Sequence, residues 1–284
     1  MRTALIALAA LAVALPLRAQ QLPVKGYGQE LVDRVMAKER GLLVVVMHAS
    51  PPGVASYPIV ASNIGRIGKV ADDDDMRVVT TGKTNLEVAH GGARFEVELA
   101  MRDLAGNTIG ALGIVFPYRK GASKAALEKR AVSIRDWLAR RILDAGSLAE
   151  PYPFDPLATT KTHAQKLVDA TLARHPEIDL LAVRARPPKG RDYAIVASSF
   201  GRIGMKADEL TPGPPRSGER SGGKRYEVEL PLLDAKGGAV GALTVGWRLR
   251  KGGDEKAFLS QAEKIRDELR KRIPALENLV ELDP

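Results

Sequence analysis

A fourteen-residue string occurs twice in this chain, from Ile59 to Asp72 and, one hundred and thirty-six residues further on, from Ile195 to Asp208. Ten of its fourteen positions are identical, including an opening Ile-Val-Ala-Ser and a central Gly-Arg-Ile-Gly. The flanking segments also align. Agreement that dense makes the chain a tandem duplication of one folding unit, so any fold assigned to it must be one that is built twice. The two copies also form an internal comparison, showing which residue types one backbone has kept and which it has let drift.

Each copy begins with an amphipathic helical pattern: Leu31, Val32, Val35 and Met36 in the first, and Ala164, Leu167, Val168, Thr171 and Leu172 in the second. An apolar run follows, Leu42–Met47 or Leu180–Val183, closed by Pro51-Pro52 or Pro187-Pro188 and read as a buried strand. The repeated Ile-Val-Ala-Ser predicts a short second strand. The stretches 73–92 and 209–223 differ by five residues in length and in composition, which predicts a variable loop. In Arg94–Leu99 and Arg225–Leu230, apolar residues alternate with glutamates, the period of a half-buried strand. Asp103 with Gly106, and Asp234 with Gly237, have the spacing of a tight hairpin loop. Gly110 and Gly241 recur in the returning strands, where glycine marks a bulge or a close backbone approach. A closing helix carries Leu127, Ala131, Ile134, Leu138 and Ile142 in one copy and Phe258, Ala262, Ile265, Leu269 and Ile273 in the other.

This order predicts an α+β fold of two tandem units, each an antiparallel sheet flanked by N- and C-terminal helices, with the opposite sheet face free to form a pocket. The expected division is a leader over 1–19, units over 22–145 and 161–284, and a Pro- and Ala-containing linker over 146–160. Copy by copy, the chain resembles the extracytoplasmic PAS-like sensor modules called Cache domains. The resemblance rests on Ile67-Gly68 followed by Asp72–Asp75, on Ile203-Gly204 followed by Asp208-Glu209, and on the Asp-x-x-Gly hairpins leading into Ile109-Gly110 and Val240-Gly241. It implies a PAS-like fold and a sensor-type, ligand-binding role. Two departures stand against the receptor pattern: each copy has its own leading helix, and no transmembrane or transmitter segment is seen after the second copy.

Met1 to Ala19 has a short basic start, an apolar run from Ala4 to Leu15 and a small residue before Gln20, the pattern of a secretory leader; the run is too short to span a bilayer. A periplasmic or secreted protein is therefore expected, without a membrane span once the leader is removed. There is no cysteine, so stability has to come from packed cores rather than disulfides. The formal net charge is +9, but both signs are interleaved and no concentrated basic block occurs, which argues against nucleic acid as a partner.

The candidate site residues come in pairs, one from each copy. Arg66 and Arg202 sit between glycines, where a guanidinium can hold a carboxylate or phosphate through two bonds; alternatively each pairs with its neighbour Asp72 or Asp208 and staples the loop. Glu96 with Glu98, and Glu227 with Glu229, share one strand face, as an amine-binding or acid–base pair would, or as the charged side of an exposed sheet. Tyr57 and Tyr193 precede the repeated strand and can cap a pocket or pack at a sheet edge. The run Asp72–Asp75 lacks EF-hand spacing and reads as a solvated acidic turn. His48, His90, His163 and His175 show no metal-ligand spacing, and no phosphate-loop motif occurs, so neither metal nor cofactor is expected. With no activated nucleophile in view, the expectation is a non-enzymatic protein that binds a small polar or acidic ligand. The other reading is an interaction module docking on an envelope receptor or transporter.

Overall fold

Alternation along the strands decides which side of each sheet is core. In the first unit Val45 and Met47, then Phe95, Val97, Leu99 and Met101, then Leu112, Ile114 and Phe116 all point one way and are almost wholly buried. They meet Leu31, Val32 and Val35 from the leading helix and Ala131, Ile134 and Leu138 from the closing helix, forming one hydrophobic core.

The computed structural model describes residues 24–187, 190, 192–208, 215–249 and 254–283. The expected leader at 1–19, Pro188, and Glu209 of the second acidic cluster lie outside them. The first unit runs α1 (Tyr27–Lys38), β1 (Val44–Ala49), β2 (Ile59–Ser62), α2 (Asp73–Thr81), β3 (Asn85–Ala89), β4 (Arg94–Arg102), β5 (Thr108–Pro117) and α3 (Lys124–Ala139). The second runs α4 (His163–Arg174), β6 (Leu180–Ala185), β7 (Ala194–Ser198), β8 (Arg216–Arg220), β9 (Arg225–Leu233), β10 (Ala239–Arg248), α5 (Glu255–Arg270) and α6 (Leu276–Val280). The sheet orders are β2-β1-β5-β4-β3 and β7-β6-β10-β9-β8, with every pairing antiparallel. These are two tandem PAS-like α+β units. No helix among the described residues is long and apolar enough to cross a membrane.

One expectation about the elements needs correcting. The stretch after Asp72 is not a loop: α2 and β3 occupy it in the first unit, and β8 lies in the corresponding part of the second. Asp72 is the N-cap of α2. Its carboxylate accepts from Asp75 N, while the Asp75 carboxyl accepts from Asp72 N, closing a reciprocal capping box. The acidic run is thus a helix start, where negative charge favours the free N–H groups, and Gly82 at φ 69° ends the helix. The segment 146–160 lies between the units and packs against both. It forms a 3-10 turn at Gly146–Ala149, buries Ser147 and Leu148, and sets Tyr152 against Tyr27 with the rings tilted by 36° and 5.6 Å between centroids. Through it the first core continues into the second unit, taking in Leu180, Ala182, Ile195, Phe200 and Ile203.

The two retained strand glycines have a steric cause. A Cβ on Gly110 would lie 1.8 Å from His48 O, and one on Gly241 would lie 2.3 Å from Arg184 O. At Gly113, in the same strand as Gly110, the nearest atoms to a Cβ are 3.7 and 4.0 Å away. Gly110→Ala is therefore expected to cost about 3 kcal/mol of stability and Gly113→Ala well under 1 kcal/mol, a contrast that denaturant unfolding of the two variants would measure.

Candidate functional site

The sheet face turned away from α1 and α3 is where the first unit gathers its polar groups. Strand register puts Val46, Gly113, Glu98 and Asn85 in one row across it, and Val44, Val115, Glu96 and Glu87 in the next. A third row holds His48, Ala111 and Ala100, and there α2 packs down, with Val78 against the two alanines. Glu96, Glu98 and Val46 are half-buried beside the uncluttered backbone of Gly113. The face is thus closed by α2 at one end and reachable at the other.

Its electrostatics are one-sided. His48 Nδ1 lies 2.9 Å from Tyr57 O, which can only accept, so that nitrogen carries the hydrogen; Nε2 faces Asp75 Oδ2 at 3.4 Å. Burial raises the Asp75 carboxyl, although His48 opposes the shift. Glu98 accepts a 2.9 Å bond from Asn85 Nδ2, yet burial, with the nearby Asp75, Glu96 and Asp72, pushes it up to about 7. Glu96 is also raised, first by burial and then by Glu87, Asp75 and Asp72, with Arg94 pulling the other way. Among the described residues no lysine, arginine or histidine forms an ion pair with Glu96 or Glu98.

The second unit carries the same glutamates on the same face and neutralises them. Glu227 accepts from Arg225 Nε at 2.7 Å, and Glu229 lies 3.1 Å from Arg184 Nη2. Arg184 stands in the strand position of His48. Among the described residues no group of three or more His, Asp or Glu side chains is placed to hold a metal ion.

The repeated string forms the same turn in both units. Ile59 N donates to Lys69 O, Gly68 N to Ile59 O and Ala71 N to Tyr57 O; Ile195, Gly204 and Ala207 repeat these bonds to Met205, Ile195 and Tyr193. Tyr57 and Tyr193 thereby anchor the turn through their backbone carbonyls. Arg66 and Arg202 both adopt left-handed backbone, at φ 64° and 61°, which costs a non-glycine residue about 1 kcal/mol. Their surroundings then diverge. Arg202 does not pair with Asp208, which is exposed; it grips Glu150 of the inter-unit segment, with Nε and Nη2 at 2.9 and 2.7 Å from the two carboxylate oxygens. Arg66 does not pair with Asp72, which is occupied in the helix cap and approached by Lys69 Nζ at 3.6 Å. Sequence reasoning missed Glu150, Tyr27 and Asp75. The capping box has a readable trace in Asp72-x-x-Asp75, whereas the other two depend on how the units meet.

Two outcomes are expected. Because the folded chain holds the Glu98 proton more tightly than the unfolded one, stability falls as pH rises from the ordinary carboxylate range through about 7. Thermal melts across that range should show this decline flattened in Glu98→Gln. Separately, Arg202→Ala should cost about 1–2 kcal/mol in denaturant unfolding and Arg66→Ala close to nothing, since only the former removes a charge-assisted pair.

No protein-family model matches the chain, and no curated protein does. Among solved structures, the inducer-binding domain of the PobR transcription factor from Acinetobacter, in complex with 3-hydroxybenzoic acid, is 13% identical at a TM-score of 0.28, covering 41% of this chain and all of that one. The repressor BlcR from Agobacterium tumefaciens is 12% identical at 0.28, covering 57% of this chain and 76% of its own. PelD from Pseudomonas aeruginosa is 17% identical at 0.29, covering 88% and 79% respectively. Likeness this slight carries nothing about ligand or role; the fold rests on strand order and register.

Proposed function

We propose that this is an exported, non-enzymatic, sensor-type protein that binds a small ligand on the open sheet face of its first unit. One observation carries the reading: Glu96, Glu98 and Asp75 crowd a half-buried surface, their carboxyls raised, and among the described residues no cation forms an ion pair with Glu96 or Glu98. A group buried at that cost is relieved by a positively charged partner. The ligand class is accordingly a small amine, which deepens the general expectation of a polar ligand and replaces the acidic one. Its ammonium would sit over Gly113 between Glu96 and Glu98, with Val46 and Val115 beneath its apolar part. The second unit, whose glutamates already hold Arg184 and Arg225, serves as a supporting body. Export rests on the leader-like start of the chain.

Screening the protein by thermal shift and calorimetry against primary and secondary amines, with matched organic acids alongside, tests this. Saturable stabilisation by an amine is expected, weakened about 10- to 100-fold by Glu98→Gln, the equivalent of roughly 1.4–2.8 kcal/mol. Stabilisation by acids alone, or an amine response indifferent to Glu96 and Glu98, would sink the assignment. A second reading, docking onto another protein, is favoured by a different feature, the exposed copy of the repeated turn.

A further inference from the structure

The turn at Gly65–Gly68 is the free twin of a turn that is docked. In the second unit, the Tyr27 ring lies against Gly201, so closely that a Cβ there would meet it at 2.9 Å, and Tyr27 OH donates to Ser199 O at 3.2 Å. Arg202 grips Glu150, Phe154 N donates to Ile203 O at 2.9 Å, and Asp155 and Ala158 cover Gly204. Phe200 and Ile203 are 8% and 1% exposed. In the first unit the backbone is the same, with φ of 75°, 64° and 89° at Gly65, Arg66 and Gly68 against 82°, 61° and 88° at their counterparts. Yet nothing lies within 4 Å of a Cβ at Gly65 or Gly68, and Ile64 and Ile67 are 45% and 60% exposed. Arg66 keeps its left-handed conformation with no ion-pair partner among the described residues.

The surface that docks is also made twice. Tyr27 N donates to Glu150 O at 2.8 Å, and His163 N to Glu281 O at 2.9 Å. Tyr152 N donates to Lys25 O, and Asp283 N to Lys161 O. Gly26 bridges Pro151 as Thr162 bridges Leu282. Tyr27 OH shares its one hydrogen between Ser199 O and Arg141 O, and His163 Nε2 lies 3.0 Å from Arg272 O. Leu148 and Leu279 are both buried beneath. Glu281 therefore stands on the second unit where Glu150 stands on the first. Its side chain is exposed and, among the described residues, accepts from Asn278 Nδ2 at 2.9 Å, and beside it Leu282 is 71% exposed.

We propose that the chain self-associates head to tail, the Glu281 end of one copy docking on the Gly65–Gly68 turn of the next, with Arg66 gripping Glu281 as Arg202 grips Glu150. The contact repeats between copies the operation that relates the units within one. Its two surfaces are different, so it is heterologous and extends to open oligomers unless the rotation happens to close.

Charge reversal tests it on the full protein, because Arg66 and Glu281 are exposed and outside both cores. In sedimentation velocity up to about 1 mM protein, the weight-average coefficient of the native chain should rise with concentration. It should stay flat in Arg66→Glu and in Glu281→Arg, and rise again in the double variant, whose pair is restored with its signs exchanged. A native chain that stays monomeric throughout, association indifferent to either single variant, or a double variant that fails to recover would each overturn the proposal.

Discussion

The Tyr27 ring occupies the space that a side chain at residue 201 would need, and beside it Arg202 closes two charge-assisted bonds on Glu150. Much of the molecule depends on that contact. It holds the 3-10 turn and Tyr152 in place, continues the first core through Phe200 and Ile203, and keeps the segment between the units packed. It is available only because the Gly-Arg-Ile-Gly turn places left-handed residues in succession, presenting bare backbone at Gly201 and Gly204.

Duplication then leaves a question that packing alone does not answer, namely what becomes of the same surface where nothing is docked. The two sheet faces pose it too. Glu227 and Glu229 are stabilised by Arg225 and Arg184, so their desolvation is offset within the second unit. Glu96 and Glu98 keep the same positions with His48 in place of Arg184, and among the described residues neither forms an ion pair; Arg94 pulls Glu96 down without pairing with it and Asn85 gives Glu98 a hydrogen bond, yet both carboxyls stay raised. One copy has become internally complete, and the other retains unmet charge and unmet apolar surface.

What the sequence revealed was the part written in local backbone constraint. The duplication, the alternation placing Glu96 and Glu98 on one face, the Asp103-to-Gly106 hairpin and the close approach at Gly110 all follow from residues a few positions apart or from side-chain periodicity. Helix α2 escaped because it buries only Asp75 and Val78, too faint a stripe for periodicity to register, and because its cap uses two aspartates rather than the commoner Ser or Thr with Glu. Arg202 stands out in the sequence between its glycines, but neither a ligand nor the neighbouring Asp208 is what it holds. Its true partner lies fifty-two positions away, in a segment whose path is set by the packing of one unit on the other.

One turn, with one set of backbone hydrogen bonds, is exposed in the first unit and sealed in the second. Hydrogen exchange reads this with the chain as its own control, since Gly68 N and Gly204 N donate equivalent bonds of 2.9 and 2.8 Å. Measured in dilute protein, the 195–208 string should exchange far more slowly than the 59–72 string. Equal protection of the two would contradict the account.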